Sequence, residues 1–94
     1  MTEAVVHNDR KSRFEIFVDD QLAGFAHYHL SNGVATFDHT EVAERFGGRG
    51  LASTLIAAAL DRVRAQGQLR VRPVCPFVVS FLKRHPEYAD LVVQ

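Results

Sequence analysis

Cysteine occurs once in this chain, the formal charges sum to zero, and no apolar run approaches the length of a membrane span. The lone thiol, Cys75, cannot close an internal disulfide, which excludes a disulfide-stapled scaffold and fits a reducing compartment. Eleven basic side chains are balanced by eleven acidic ones, so the basic excess of a general nucleic-acid surface is missing. A transmembrane helix needs about 20 consecutive apolar residues, and the polar stretch from Met1 to Arg13 lacks the apolar centre of a signal peptide. The expectation is a soluble, cytoplasmic protein with neither nucleic acid nor membrane as partner. What is present points to a globular chain: 47% of residues are hydrophobic, seven of them phenylalanine. Ninety-four residues suffice for one domain, 1–94, with one modest core and no separate substrate domain.

Two hydrophobic periods divide the sequence. Phe14, Ile16 and Val18 alternate, Asp19-Asp20-Gln21 offers a turn, and Leu22 to Leu30 reads as a further strand. Asn32-Gly33 is a strong hairpin signal, because both residues tolerate the positive φ of a type I′ turn, and Val34 to Val42 is the returning strand. With a short strand around Ala4 to His7, this makes an antiparallel meander of about four strands. From Leu51 the period becomes helical, through Leu55, Ile56, Ala59, Leu60 and Val63, and Gly67 stands where a C-terminal cap is expected. Leu69 to Val74 returns to strand and, coming after a helix, predicts a parallel, right-handed crossover. Pro76 fits the first turn of a second helix with Phe77, Val78, Phe81 and Leu82 on its apolar face, ended or kinked by Pro86. The fold class is α+β (α/β), a meander followed by helix, parallel strand and C-terminal helix.

Between the fourth strand and the first helix lies Arg45-Phe-Gly-Gly-Arg-Gly-Leu-Ala52. Gly47, Gly48 and Gly50 can adopt positive φ and let main chain approach a ligand closely. The first amides of the following helix lack partners within it, and with the helix dipole they attract an anion. This is the layout of a phosphate cradle, with Arg45 and Arg49 as its charges. A Walker loop is excluded, since Gly-Leu-Ala replaces Gly-Lys and its hydroxyl residue. GxGxxG cannot be drawn through these glycines either, so a dinucleotide fingerprint does not fit.

What survives, Arg-x-x-Gly-x-Gly on Arg45, Gly48 and Gly50, resembles the cofactor loop of the GNAT superfamily of acetyl-CoA-dependent N-acetyltransferases. His39-Thr40-Glu41-Val42, Gly50-Leu51-Ala52, Cys75-Pro76-Phe77-Val78 and Arg84-His85-Pro86 extend the likeness to the small, single-domain subset of Yjdj type, over roughly residues 5–93. The resemblance implies a GNAT-like fold whose last parallel strand splays from its neighbour, with acetyl-CoA as co-substrate and no metal. It assigns cofactor contacts to Val42, Arg45, Gly47, Gly48, Arg49, Gly50, Leu51 and Ala52, and makes Arg84 worth testing. The pyrophosphate would rest on the amides of Gly48 to Ala52, and main chain near Glu41 and Val42 would pair with the pantetheine arm. Charge-assisted hydrogen bonds of this kind contribute roughly 1.5–3 kcal/mol each.

Three side chains are catalytic candidates. Cys75 precedes Pro76 at a helix N-cap, where dipole and amides favour thiolate. The resemblance turns it toward the thioester, either to accept the acetyl group or to assist proton transfer; the ordinary role is a small buried hydrophobe. His39 suits the base that deprotonates an acceptor amine, and it shares a face with Glu41 if the strand alternates regularly from Phe37. Glu41 is open to three roles: orienting His39, binding the acceptor, or a solvated charge. Larger superfamily members carry a glutamate base earlier on this strand, near Thr36 here, so that role does not transfer. His27 and His29 sit two apart, but no third metal ligand is evident and a zinc site is not expected. Arg70, Arg72 and the Lys83-Arg84-His85 cluster fit a solvated face and a helix C-terminus, and Tyr88 is a remote candidate for protonating a departing thiolate.

Larger superfamily members shape the acceptor site with two helices between the first strands and a C-terminal hairpin; here the short Asp19-Asp20-Gln21 turn leaves no room for such helices and the chain ends soon after Tyr88, so the resemblance implies a shallow, open acceptor groove. An exposed protein amine or a small polyamine-like molecule fits such a groove. Acetyl transfer to an amine leads; a non-catalytic acyl-CoA-binding module and a thiol-based regulator built on Cys75 are the alternatives. Oligomeric state is open.

Overall fold

The computed structural model describes residues 2–93. Five strands form one sheet in the order β1-β2-β3-β4-β5, with β1 Glu3–Asn8, β2 Arg13–Val18, β3 Gln21–Ser31, β4 Val34–Val42 and β5 Arg70–Pro73. The first four pair antiparallel and β4 pairs β5 in parallel, as the change of period implies. Helix α1 is Leu51–Gln66 and α2 is Pro76–Arg84, and short 3-10 turns cover Asp9–Lys11, Glu44–Phe46 and Pro86–Leu91. None of these three turns was anticipated from the sequence. The β1–β2 connection is only the Asp9–Lys11 turn, and β2–β3 is a two-residue turn with positive φ at both Asp19 (48°) and Asp20 (68°). Asn32 (53°) and Gly33 (78°) repeat that geometry, whose twist suits a right-handed hairpin.

One face of the sheet carries Phe14, Ile16, Val18, Ala26, Tyr28, Ala35 and Phe37, all buried. Helix α1 covers it with Leu51, Leu55, Ile56, Ala59, Leu60 and Val63, each burial contributing about 1.5–3 kcal/mol for the larger side chains. Gly67 closes α1 in the left-handed region (φ 81°), its amide on the Val63 carbonyl. Helix α2 and the Pro86–Leu91 turn pack beside α1, where Tyr88 donates to Asp61 (2.7 Å) and Arg64 forks onto Asp90 (2.8 and 2.9 Å). The opposite face is polar: Arg13 pairs with Glu15 (2.7 Å), and Asp38, His39 and Glu41 are exposed. Among the described residues no helix is long and apolar enough to cross a membrane.

Candidate functional site

Helix α1 starts without a side-chain cap. Its Thr54 amide reaches the Gly50 carbonyl (3.2 Å), but Leu51, Ala52 and Ser53 precede the first intrahelical bond, so their amides face outward at the positive end of the dipole. Gly48 and Gly50 hold φ at 79° and 70°. Gly47 does not: it is extended, with φ −64°, so positive φ falls on the two glycines of Arg-x-x-Gly-x-Gly and not on all three. A Cβ built at Gly48 or Gly50 would meet no protein atom within 4 Å, so their missing side chains leave room for something outside the chain. Phe46 anchors the loop in the core, and the guanidinium groups of Arg45 and Arg49 lie over its ring at 4.8 and 5.6 Å. A cavity of about 160 Å³ opens here, lined by Val42, Phe46, Gly47, Gly48, Gly50, Leu51, Ala52, Ser53 and Phe77. Every loop residue assigned from the sequence is therefore in or beside one concavity whose donors suit a phosphate.

Beside this cavity, whose wall includes Val42 of β4 and Phe77 of α2, β4 loses its parallel partner. Parallel pairing ends at Phe37 opposite Pro73, and the Phe37 carbonyl accepts both the Val74 (3.0 Å) and Cys75 (2.9 Å) amides. The chain then turns into α2, so β4 beyond Phe37 has no β5 partner. The Ala43 amide goes to Ala23 on β3 (2.7 Å). By strand alternation, the main-chain groups of Thr40 and Val42 face the open edge while those of Glu41 face β3. Main chain at Val42 therefore lies on the open edge, and Thr40 rather than Glu41 shares that edge with it.

Cys75 caps α2, buried at 6% exposure, and its thiol donates to the Thr40 hydroxyl at 3.6 Å. Burial pushes the thiol up, but the Thr40 hydroxyl and the amides of Val78, Phe77 and Thr40 outweigh it, so Cys75 titrates below its ordinary value. Val42 and Phe77 both line the loop cavity, and Thr40 meets Cys75 one step back along β4 and α2.

His39 and Glu41 lie on the other side of the sheet. Their side chains touch each other (3.2 Å) and both are exposed, so they share a face, but it is not that of Phe37. The strand does not alternate regularly. Phe37 pairs with Tyr28 and His39 with His27, leaving Asp38 as the extra residue of a bulge, which puts Phe37 and Thr40 toward the helices and His39 and Glu41 toward the open face. The structure brings Cys75 to Thr40 and leaves His39 and Glu41 across the strand from them.

Two residues near the site escaped the sequence reading. Asp38, in the bulge, accepts from His27 (2.7 Å) and lies 3.7 Å from His29; burial raises its carboxyl, and the His27 hydrogen bond and charge, a backbone hydrogen bond and the His29 charge together outweigh that to hold it below the usual value. Gly24 has no spare space, since a Cβ there would stand 2.5 Å from the Glu41 carbonyl, so β3 presses directly on the splayed part of β4. Both features arise from pairing between strands and leave no signal within one strand.

Other candidates lie apart. Arg84 ends α2, eight residues beyond Pro76, about 12 Å along the axis. Tyr88 is given to Asp61, ten residues along α1 from Leu51. Arg70 reaches the Asp90 carbonyl (3.4 Å), Arg72 is exposed, and His85 stacks on Phe81 with its ring centre at 4.1 Å.

A family profile described as GCN5-related N-acetyl-transferase matches residues 13–91. Protein NATD1 of Bos taurus is 30% identical over 84 residues, covering 87% of this chain and 74% of its own length. A GCN5-like protein of Staphylococcus aureus superposes with a TM-score of 0.72 at 22% identity, over 96% of this chain and 87% of that one. PaiA N-acetyltransferase of Thermoplasma acidophilum, solved in complex with coenzyme A, superposes with a TM-score of 0.61 at 18% identity, over 77% of this chain and 48% of that one. At these identities the two solved structures bear on the fold.

Proposed function

This chain belongs to the GCN5-related N-acetyltransferase family, and we propose that it transfers the acetyl group of acetyl-CoA to an amine on a protein or a small molecule. The observation that carries the reading is the uncapped start of α1, where Gly48 and Gly50 open onto a cavity whose wall includes Val42 of β4 and Phe77 of α2. The coenzyme's diphosphate rests on the amides of Gly48 to Ala52 with Arg45 and Arg49 nearby. Its arm follows the edge of Thr40 and Val42, and the Val42 amide supplies a donor to the thioester carbonyl as charge develops on it. The coenzyme-bound PaiA relative lends support to acyl-CoA use.

The acceptor must arrive as a neutral amine. His39, next to Glu41 on the open face, is the base in this reading, and the exposed Asp38 and Glu41 carboxylates draw a cationic amine toward it. Cys75 offers a second route. Its sulfur, having lost its proton, attacks the acetyl carbon; coenzyme A leaves and takes up a proton; the amine then displaces the sulfur and the thiol is restored. The lowered thiol pKa and the Thr40 contact favour this step. A single, free cysteine also suits a reducing cytoplasm.

Intact-mass measurement with labelled acetyl-CoA, run beside a turnover assay on a panel of protein and polyamine amines, tests the proposal. Turnover onto an amine is expected, with an adduct of one acetyl group that Cys75→Ala removes. Binding of acetyl-CoA with no turnover onto any amine would leave the non-catalytic acyl-CoA module, and full turnover by Cys75→Ala would remove the covalent route alone.

A further inference from the structure

A second cavity, larger than the one at the loop, lies elsewhere on the molecule. A groove of about 490 Å³ runs under the C-terminal half of α1, lined by Phe14, Tyr28, Phe37, Leu30, Arg62 and Val63 among others. Arg62 is nine residues beyond Ser53, about 14 Å along the helix, so the groove is separate from the cavity at the α1 N-terminus. Its floor is an aromatic cluster: ring centres of Phe14 and Tyr28 lie 5.6 Å apart, Tyr28 and Phe37 5.7 Å, Phe14 and Phe37 6.2 Å. These rings are nearly buried, so only a slender group entering the groove reaches them, and a flat protein surface does not.

The rim is polar. His7 stacks on Phe14 (4.4 Å), shares a hydrogen bond with the Tyr28 hydroxyl (2.5 Å) and lies 3.6 Å from Asp9. Burial, and then Asp9, push the Tyr28 hydroxyl up, which keeps it protonated as a donor at neutral pH. Asp9 pairs with His7 when that ring is protonated, whereas the Arg62 side chain has no hydrogen bond or ion pair among the described residues. An open cleft of several hundred Å³ with apolar walls and few converging polar groups is the ordinary form of a small-molecule site, and its unengaged charge is positive.

We propose that this groove is a second ligand site, for a small organic acid whose aromatic or branched apolar body lies on the Phe14, Tyr28 and Phe37 rings and whose carboxylate pairs with Arg62. The guanidinium fork matches a carboxylate, and His7 and Tyr28 supply a second point of hydrogen bonding. The site does not depend on acetyl transfer.

The probes are 4-phenylbutyrate and its uncharged counterpart 4-phenylbutanol, titrated into isotope-labelled protein while amide resonances are followed. The acid is expected to shift His7, Tyr28, Leu30 and residues 62–66 saturably and to leave 47–53 unmoved, with the alcohol at least tenfold weaker. Arg62→Gln should weaken the acid at least tenfold and leave the alcohol unchanged. Ala65→Trp, which fills the mouth from an exposed helix position, should abolish both while the circular dichroism spectrum stays that of the parent. Absence of binding by either probe, equal affinity for acid and alcohol, shifts confined to the loop, or displacement of the acid by self-association of the protein would each overturn the proposal.

Discussion

Gly48, Gly50 and Gly67 all hold positive φ with open space beyond them, yet they should answer differently to the same substitution. Alanine in the left-handed region costs on the order of 1 kcal/mol of stability, and each Gly→Ala change is expected to cost about that much in chemical denaturation. Only Gly48→Ala and Gly50→Ala put a methyl group where the coenzyme's phosphates belong, so only they should weaken acetyl-CoA by tenfold or more in calorimetric titration; equal affinity in Gly67→Ala and Gly50→Ala would contradict the cradle. Cys75 gives a second test at this scale. Its thiol titrates below the ordinary value, so thiolate is present at lower pH than for a free cysteine and grows as pH rises through the shifted value. Thr40→Val removes one of the groups responsible and should move the pH profile of Cys75 alkylation upward. An unmoved profile would mean that Thr40 contributes nothing. The loop glycines and the cysteine were legible in the sequence because each acts through local backbone: a missing Cβ in one case, a place before Pro76 in the other.

Strand β4 is where sequence and structure part. Its existence, its hairpin at Asn32-Gly33 and the switch to helical period at Leu51 are written in local chemistry, and all appear where expected. The bulge at Asp38 is not, since it exists only relative to the register of β3. Missing it assigns His39 and Glu41 to the face of Phe37, when they stand on the opposite one. Deleting Asp38 would keep every later side chain of β4 on its present face but straighten the strand. Such a variant is expected to fold, by circular dichroism, and to lose acetyl-CoA affinity; unchanged affinity would separate the splay from the bulge. Gly24 was likewise invisible, because nothing within β3 announces that the Glu41 carbonyl passes 2.5 Å from its Cβ position. Gly24→Ala should destabilise by about 1–3 kcal/mol in a denaturant titration, and an effect near zero would show that β4 moves freely there.

At the scale of the molecule, α1 joins its two ends to different jobs: its uncapped start faces the loop cavity, and its far half carries the α2 and Pro86–Leu91 packing through Tyr88–Asp61 and Arg64–Asp90. Burial first, and then the Asp61 hydrogen bond, push the Tyr88 hydroxyl up to about 12. A group raised in the folded state contributes stability that is complete below its ordinary value, near 10 for tyrosine, and that is lost as pH climbs toward about 12. Tyr88→Phe should therefore cost about 1 kcal/mol at neutral pH and flatten the alkaline fall of the urea midpoint; a variant as pH-sensitive as the parent would place that fall elsewhere. Such distant pairings could not be read from sequence, where Asp61 looks like any exposed helix charge. The central claim is more local, and amide resonances of labelled protein titrated with acetyl-CoA test it most directly. Saturable shifts at Gly48 to Ala52, with Thr40 and Val42 following, are expected. A coenzyme that binds while those amides stay still, or shifts only the groove beneath residues 62–66, would contradict the account.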